Sequence, residues 1–346
     1  MFIKLKKKIS KKKIKKFLDK DWVINLFNRK IKKYFPGAKI DDLEIEILRN
    51  FLGKFKNLTI RYKLFLNFGR YKRKENVLAK INALTTVPKR WFLVAKLLKK
   101  NCFKEIPVIL DYLPSFNVVF YKEIKGKSLQ DILQEKRISK ILKIIPQIGL
   151  LLKKFHSLKI KDFPIIKNKK EEEKEHRHWF FLIRKCLPSF EKRMKKIYYS
   201  LKKFRERNKN FFLKENDYIL THGDFHFGNL ILSGKKIKIL DFSESDLYDP
   251  LNDVASFLAQ TESMLRYYLP KKFLLYQKNI ENIFLKNYFK KKIGKSEWIR
   301  IKFFKIRNFL QMAGILSFVI WPPKDKILAV KKSLDLAEKE LINLKL

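Results

Sequence analysis

The sequence predicts an α+β fold with two lobes, a small lobe of antiparallel β-strands followed by a larger, mainly α-helical lobe. Short β-rich runs separated by turns fill most of residues 43–124, with one helical segment among them. Beyond Gly126 the apolar residues recur at helical spacing, and a single sheet-like insertion at 218–240 interrupts them. These two observations predict both the fold class and the order of the lobes.

Composition narrows the class of protein. The 346 residues are 46% hydrophobic and include 31 Phe, enough for substantial cores, while 10 Gly, 11 Pro and no repeat argue against a solenoid. No apolar stretch reaches the ~20 residues of a membrane span. Cys102 and Cys186 form no CxxC pair, which predicts isolated buried thiols. Without a recognisable signal peptide, a cytoplasmic protein is expected.

The formal charge of +47 has two explanations. It either reflects lysine-rich codon usage or attracts an anionic partner such as nucleotide, nucleic acid or acidic lipid. Residues 1–37 form a basic arm followed by an amphipathic helix that ends before Pro36. The arm is either a solvated chain end or a peripheral contact with anionic membrane or nucleic acid. No obligate protein partner is inferred.

The small lobe is predicted to contain three strands, one helix and two further strands. The helix follows Pro88 and presents apolar residues on one side. A polar turn at 67–70 separates the second strand from the third. The predicted strands are 43–51, 58–66, 76–81, 107–113 and 117–124.

The large lobe begins with helices at 129–133 and 138–158 and continues with a long charged helical run at 171–208. Three Glu at 171–173 precede His176 and His178, a composition that also occurs in metal sites. Two His at this spacing lie on different faces of a helix, so a solvated helix start is predicted and no transition metal is assigned. Further helices follow from Val254 to the C-terminus.

The strongest polar cluster lies on the sheet-like insertion. Residues 221–229 read T-H-G-D-F-H-F-G-N, residues 239–242 read I-L-D-F, and residues 249–253 read D-P-L-N-D. Phosphoryl transfer needs a carboxylate that orients and deprotonates the attacking hydroxyl, and oxygen ligands that hold Mg²⁺ against the phosphates. The side chains that supply this set are Asp224, Asn229 and Asp241.

These motifs resemble those of the aminoglycoside phosphotransferase and choline kinase superfamily, whose pattern is H-G-D-x-H-x-x-N, a hydrophobic strand, D-F and D-P-x-x-D. The resemblance implies a protein-kinase-like two-lobed fold. It implies Asp224 as the catalytic base and Asn229 and Asp241 as metal ligands. By the same resemblance three residues support the loop, namely His222, His226 and Asp253. His156 matches the end of a family helix and is expected to be a packed or capping residue.

A second motif lies upstream, where V-L-A-K at 77–80 places Lys80 on the predicted third strand. A kinase fold uses such a lysine to hold the α- and β-phosphates. The helix at 89–100 contains no Asp or Glu that could pair with Lys80, although Glu105 lies just beyond it. Either a residue from elsewhere pairs with Lys80, or nucleotide binding is impaired.

Residues 118–129 resemble the hinge strand of the family and its G-x-S-L helix entry. The resemblance implies that the backbone near Glu123 and Ile124 contacts adenine. The loop at 53–57 has a single Gly, so its phosphate contacts would rely on lysines instead. Residues 38–124 are thus expected to form a nucleotide-binding lobe, and residues 125–346 a catalytic and substrate lobe.

The predicted function is transfer of the γ-phosphoryl group of ATP, with Mg²⁺, to a hydroxyl of a small molecule such as a sugar, an aminoglycoside-like compound or an amino alcohol. GTP remains an alternative to ATP. The aromatic residues Trp298, Trp321, Tyr267 and Tyr268 would suit a cationic acceptor, whereas the lysine excess favours a neutral or anionic one. H-G-D in place of H-N-D disfavours choline. The competing hypothesis is a catalytically weak kinase-like protein that binds nucleic acid or anionic membrane through its basic surface.

Overall fold

The structure is a computed structural model that describes residues 11–51, 57–82, 87–318 and 322–345. The first lysines of the basic arm, most of the single-Gly loop at 53–57, and Trp321 lie outside these residues. The chain divides into two compact units. The first consists of Met1–Lys125 with Lys238–Glu244, and the second of Gly126–Ile237 with Ser245–Leu346. The predicted division at residues 37 and 124 stays a prediction.

The first unit combines short helices with a five-stranded antiparallel sheet of order β1-β2-β3-β5-β4. Its elements in chain order are α1 (Lys11–Lys15), α2 (Lys20–Asn28), α3 (Ile31–Tyr34), β1 (Lys39–Phe51), β2 (Asn57–Asn67), β3 (Lys72–Asn82), α4 (Val87–Lys100), β4 (Ile109–Leu113) and β5 (Val118–Lys122). The predicted order of three strands, one helix and two strands is confirmed. The helix predicted to run up to Pro36 is instead two helices, α2 and α3.

Alternating burial along β2 shows that one face of this sheet covers a core. Every second residue from Leu58 to Leu66 is buried, as expected when one face of a strand covers a core. Helices from the N-terminal segment cover that face, with Phe17 and Phe27 fully buried in the same cluster. The Tyr62 hydroxyl donates to the Phe17 carbonyl at 2.9 Å. The described part of the basic segment is therefore packed on the sheet and is not a solvated end.

The second unit is mainly helical. Its helices are α5 (Leu129–Gln134), α6 (Ile138–Ser157), α7 (Lys169–Cys186), α8 (Glu191–Arg207), α9 (Leu251–Tyr268), α10 (Phe273–Phe289), α11 (Lys295–Phe318) and α12 (Pro323–Lys345). The charged run predicted at 171–208 is thus two helices, separated by a short 3₁₀ turn at Pro188–Phe190.

Short strands position the motif loops. They are β6 (Lys127–Ser128), β7 (Ile219–Leu220), β8 (Leu230–Ser233), β9 (Lys236–Ile239) and β10 (Leu247–Tyr248). β7 pairs with β10, and β6 pairs with β8. β9 leads the chain out of the second unit and into the segment Lys238–Glu244 of the first. The motif residues 221–229 therefore connect β7 to β8.

The structure also bears on the predictions about the two cysteines and about membrane spans. Cys102 is exposed and Cys186 half-buried, so the prediction of buried thiols is wrong, because Cys102 lies in the turn after α4 with a φ of 56°. Within the described ranges, no helix combines the length and the apolar character that a bilayer crossing requires. The cytoplasmic location stays a prediction.

Candidate active site

Asp224 lies in the loop between β7 and β8, and the backbone before it turns sharply. Gly223 has a φ of +82°, a left-handed conformation that a side chain would strain. The backbone N–H of Asp224 donates to His222 Nδ1 at 3.2 Å. Gly223 and His222 together direct the Asp224 side chain, which keeps 37% of its surface exposed. A carboxylate with this exposure is accessible to a reactant.

Three side chains contact the Asp224 carboxylate. Gln260 Nε2 donates to Oδ1 at 3.0 Å, and Asn229 Nδ2 donates to Oδ2 at 3.2 Å. His226 Nε2 lies 3.3 Å from Oδ2. Because His226 Nδ1 accepts from the Gly228 N–H at 3.0 Å, its Nε2 carries the hydrogen and can donate to Asp224. Both carboxylate oxygens are thus held in place.

These contacts shift the ionisation of Asp224. Burial opposes ionisation of the carboxyl, but the electrostatic interaction with His226 and the hydrogen bonds from His226 and Gln260 outweigh it. The pKa of Asp224 is therefore held well below its ordinary value, and the group is a carboxylate at neutral pH.

Asn229 is fixed by the same loop. Its Nδ2 donates to the backbone carbonyl of Asp224 at 2.9 Å as well as to the carboxylate. With the amide nitrogen committed to Asp224, the amide oxygen Oδ1 is the atom of Asn229 that can bind a cation.

Asp253, near the start of α9, supports the loop from below. Its Oδ2 accepts from the His222 N–H at 2.7 Å and its Oδ1 from the Gly223 N–H at 2.8 Å. His156 Nε2 donates to Oδ2 at 3.0 Å, and the Tyr288 hydroxyl donates to His156 Nδ1 at 2.8 Å. Asp253 is fully buried, so these bonds satisfy a carboxylate that burial would otherwise destabilise.

A second set of buried bonds ties the loop to the segment before β10. Ser245 Oγ donates to the His222 carbonyl at 3.1 Å. Thr221 Oγ1 donates to Asp246 Oδ1 at 2.9 Å, and the Thr221 N–H donates to the Asp246 carbonyl at 2.9 Å. The loop is therefore anchored on both sides, by Asp253 and by residues 245–246.

In the first unit, Lys80 on β3 forms an ion pair with Asp241. Its ammonium also lies 5.6 Å from the centre of the Trp91 ring of α4. Asp241 has a φ of +63°, which is uncommon for a residue other than Gly and sets the direction of its side chain at the end of β9. The acid that pairs with Lys80 thus comes from the D-F motif, and the first of the two sequence alternatives holds.

The predicted hinge directly follows β5, the strand that pairs with β3. The Glu123 N–H donates to the Asn76 carbonyl at 3.0 Å, so this N–H is already used within the first unit. The Glu123 carboxylate forms a bidentate pair with Arg61, in which Nη2 donates to Oε1 at 2.6 Å and Nε donates to Oε2 at 3.2 Å. An adenine contact at Glu123 and Ile124 stays a prediction, and at Glu123 its carbonyl is the backbone group that remains for it.

The structure brings together five of the predicted site residues in the second unit: Asp224, Asn229, His222, His226 and Asp253. Lys80 and Asp241 meet in the first unit. Sequence reasoning missed Gln260, which lies two turns after Asp253 on the same helix, a spacing that could have revealed it. It also missed Ser245. His156, expected to be packed or capping, is the buried partner of Asp253.

The solvated helix start predicted for α7 is wrong for two residues. Glu172 is buried, accepts from Arg205 Nη1 at 2.6 Å and from the Tyr248 hydroxyl. His176 is buried against Trp179 and Tyr198. Arg205 of α8 and the Tyr248 hydroxyl of β10 compensate the burial of Glu172. The sequence pattern of α7 alone does not predict partners so far away in the chain.

Residues 104–271 match the sequence model of the phosphotransferase enzyme family, and this segment contains every motif of the β7–β9 region. This segment is similar to that family. The match confirms the predicted resemblance, and with it the enzyme class, a kinase that phosphorylates small molecules. Lys80 lies outside the matched segment. No curated protein matches the chain.

Solved structures of similar fold cover nearly the whole chain. Amicoumacin kinase hAmiN, in complex with AMP-PNP, Ca²⁺ and Ami, has a TM-score of 0.62 at 14% identity, over 95% of this chain and 96% of that one. A choline kinase from Cryptosporidium parvum Iowa II gives 0.62 at 12%, over 94% and 96%. A microcompartment-associated aminopropanol kinase gives 0.62 at 11%, over 93% and 98%. These similarities confirm the kinase-like α+β fold.

Proposed function

We propose that this phosphotransferase transfers the γ-phosphoryl group of ATP to a hydroxyl of a small molecule, with Asp224 as the catalytic base. The observation that carries the proposal is the environment of Asp224. Its carboxylate is partly exposed, is kept ionised, and is held at both oxygens by Gln260 and by Asn229. A base that is fixed before substrate arrives loses little freedom in the transition state.

In this mechanism, Asp224 accepts a hydrogen bond from the acceptor hydroxyl and aligns its oxygen with the γ-phosphorus. A bond forms from that oxygen to phosphorus, the bond from phosphorus to the bridging oxygen breaks, and the hydroxyl proton passes to Asp224. Gln260 and His226 keep the carboxylate from turning away. Catalysis then rests mainly on positioning and electrostatics.

Asn229 and Asp241 fit the role of magnesium ligands by their chemistry, since amide and carboxylate oxygens are hard donors. Asp241 is held in a left-handed backbone conformation, which supports a dedicated direction for its carboxylate. A bound Mg²⁺ would neutralise phosphate charge. Lys80 would contact the α- and β-phosphates and exchange its ion pair with Asp241 for the nucleotide.

For the acceptor we favour a neutral polyhydroxyl compound. Amide side chains from α5 and α9 lie near the catalytic loop: Gln260 contacts Asp224, and Gln134 Nε2 donates to the Tyr268 hydroxyl at 2.7 Å. A methyl group on Gly228 would lie 2.8 Å from Gln130 Oε1, so Gln130 lies against the loop. Amides hydrogen-bond sugar hydroxyls in both directions. Two of the structural relatives are instead named as kinases of amino alcohols, choline and aminopropanol.

The test is turnover that depends on an acceptor. MgATP consumption is followed against sugars, nucleosides, aminoglycosides and amino alcohols, with Asp224→Asn beside the parent protein. We expect one acceptor class to stimulate turnover, and the variant to lose it while binding nucleotide normally. Asp217→Asn, an exposed carboxylate in the same unit, is the matched control and should retain activity. Turnover that survives in Asp224→Asn would contradict the assignment of the base.

The alternative of a catalytically weak, basic-surface binding protein rested on the basic surface and on the lack of an acid in α4. The pairing of Lys80 with Asp241 weakens the second of these arguments. Absence of nucleotide binding in a calorimetric titration with Mg²⁺ would restore it. Binding to nucleic acid or acidic vesicles, steeply weakened by salt, would then be the expected property.

A further inference from the structure

A cavity of about 220 Å³ lies among α7, α8 and α11 in the second unit. None of its lining residues belongs to the set that contacts Asp224. The volume is smaller than the ~300–1,000 Å³ typical of sites for drug-sized ligands, which limits an occupant to a small metabolite. The cavity is therefore a candidate for a second ligand site.

Two buried polar atoms at this cavity lack a partner within the described ranges. His176 Nδ1 and Arg307 Nε both have no hydrogen bond there, although the residues are only 8% and 2% exposed. Leaving a buried donor or acceptor unsatisfied costs about 1–3 kcal/mol, and such groups are rare in folded proteins. Both residues line the same cavity. The two atoms are themselves buried, so an occupant would bond to them only after a shift of the side chains.

Charge selects the occupant. Positive lining residues outnumber carboxylates by five to three: Lys169, Lys202, Arg205, Lys209 and Arg307 against Glu172, Glu173 and Glu206. Three of these cations are already paired, Arg205 with Glu172 at 2.6 Å, Lys202 with Glu173 at 3.6 Å, and Arg307 with Glu175. In the described part of the chain, neither Lys169 nor Lys209 has an ion pair. Burial and the charge of Arg307 lower the pKa of His176 to about 3, so its ring is neutral and can donate one hydrogen bond.

Apolar side chains complete the lining, namely Tyr198, Leu201 and Phe303. We propose that the cavity binds a small organic anion, a carboxylate or phosphate ester whose carbon skeleton packs on these three residues while Lys169 and Lys209 hold its charged group. The site is also connected to the catalytic loop, because Arg307 Nη1 donates to Asn252 Oδ1 at 3.1 Å, next to Asp253. The proposal does not depend on the identity of the phosphoryl acceptor.

The experiment is a calorimetric titration of the full chain with phenyl phosphate, which carries both an apolar ring and an anionic group. A non-hydrolysable ATP analogue with Mg²⁺ occupies the nucleotide site, and salt at about 0.15 M screens the exposed surface charge. We expect saturable binding at one site per chain, at least tenfold tighter than for inorganic phosphate or phenol. The two comparison probes separate the contributions of the charge and of the ring.

Two kinds of variant locate the site. Leu201→Phe fills the cavity without a change of charge, and the double variant Lys169→Gln, Lys209→Gln removes charge at the rim without touching the core. Each should weaken phenyl phosphate at least tenfold, with nucleotide affinity unchanged. Lys271→Gln, an exposed lysine outside the cavity, should bind as the parent does. Equal affinity in the parent and in the rim variant, or no saturable binding of phenyl phosphate by the parent, would overturn the proposal.

Discussion

Asp253 and His222 are joined by a 2.7 Å hydrogen bond from the His222 N–H to Asp253 Oδ2, in a part of the second unit where both residues are fully buried. The bond ties the start of α9 to the residue two positions before Asp224. Since the other oxygen of Asp253 accepts from Gly223, one carboxylate fixes two consecutive peptide groups. The direction of the proposed base is therefore set by a residue that does not touch it.

Replacing Asp253 should disturb the catalytic loop, and so lower both the stability of the protein and kcat. Asp253→Asn keeps the shape but replaces one acceptor oxygen by a donor, which opposes a backbone N–H. We expect a loss of about 1–3 kcal/mol in the free energy of unfolding, and a fall in kcat of at least tenfold. Urea denaturation and steady-state kinetics measure these effects, with the exposed Asp335→Asn as control. An unchanged kcat in a folded variant would show that the loop does not need this support.

Gln260 is expected to position Asp224 rather than to react. Gln260→Leu removes one hydrogen bond to a charged group, which is worth about 1.5–3 kcal/mol. The expected result is a kcat lowered roughly 10- to 100-fold with little change in KM for ATP. Gln277→Leu on α10 is the matched control, and Gln260→Asn should not restore activity because its amide is shorter. A change in KM for ATP alone would contradict the positioning role.

Replacing Lys80 should weaken the binding of ATP and leave the binding of the acceptor unchanged. Lys80→Met removes the ammonium that pairs with Asp241 and would contact phosphates. We expect the KM for ATP to rise at least tenfold, with the KM for the acceptor nearly constant. Lys100→Met, at the exposed end of α4, provides the comparison. If both variants bind ATP equally well, Lys80 is not a phosphate ligand.

Tyr288 supports the base indirectly through His156. Tyr288→Phe deletes the 2.8 Å bond to His156 Nδ1 and leaves that buried nitrogen without its donor. A loss of about 1–3 kcal/mol in unfolding free energy is expected, with a smaller effect on kcat than in Asp253→Asn. The exposed Tyr199→Phe should change neither quantity measurably. Equal stability of the two variants would exclude a structural role for the Tyr288 hydroxyl.

Low pH should lower the free energy of unfolding, because Glu175 becomes protonated. Burial opposes its ionisation, but Lys167 and Arg307 dominate and lower its pKa from 4.5 to about 2. A carboxyl whose pKa is lowered by folding stabilises the protein above its unfolded pKa, and this stabilisation is lost as pH falls from about 4.5 to about 2. The difference in unfolding free energy between the parent and Glu175→Gln should therefore shrink over this range. A difference independent of pH would refute the assignment.

Much of the candidate site follows from local sequence. Asp224 and Asn229 lie in one loop between two apolar strands, and Asp241 follows the next strand, so their spacing already predicts a cluster of oxygen ligands. The alternating apolar residues of β2 likewise predict a strand with one buried face. Such features depend on neighbours within a few residues, and the backbone periodicity records them.

Only the tertiary structure decided the partners. Gln260 reaches Asp224 from α9, His156 reaches Asp253 from α6, and Asp241 rather than an acid of α4 pairs with Lys80. Glu172 and His176 lie in a charged segment, so their burial is not predicted from the sequence. It depends on side chains from α8 and from β10. The sequence alone determined which residue types line the loops. Which of them meet depends on packing between elements far apart in the chain, because hydrogen bonds and burial arise from three-dimensional neighbours that no local pattern encodes.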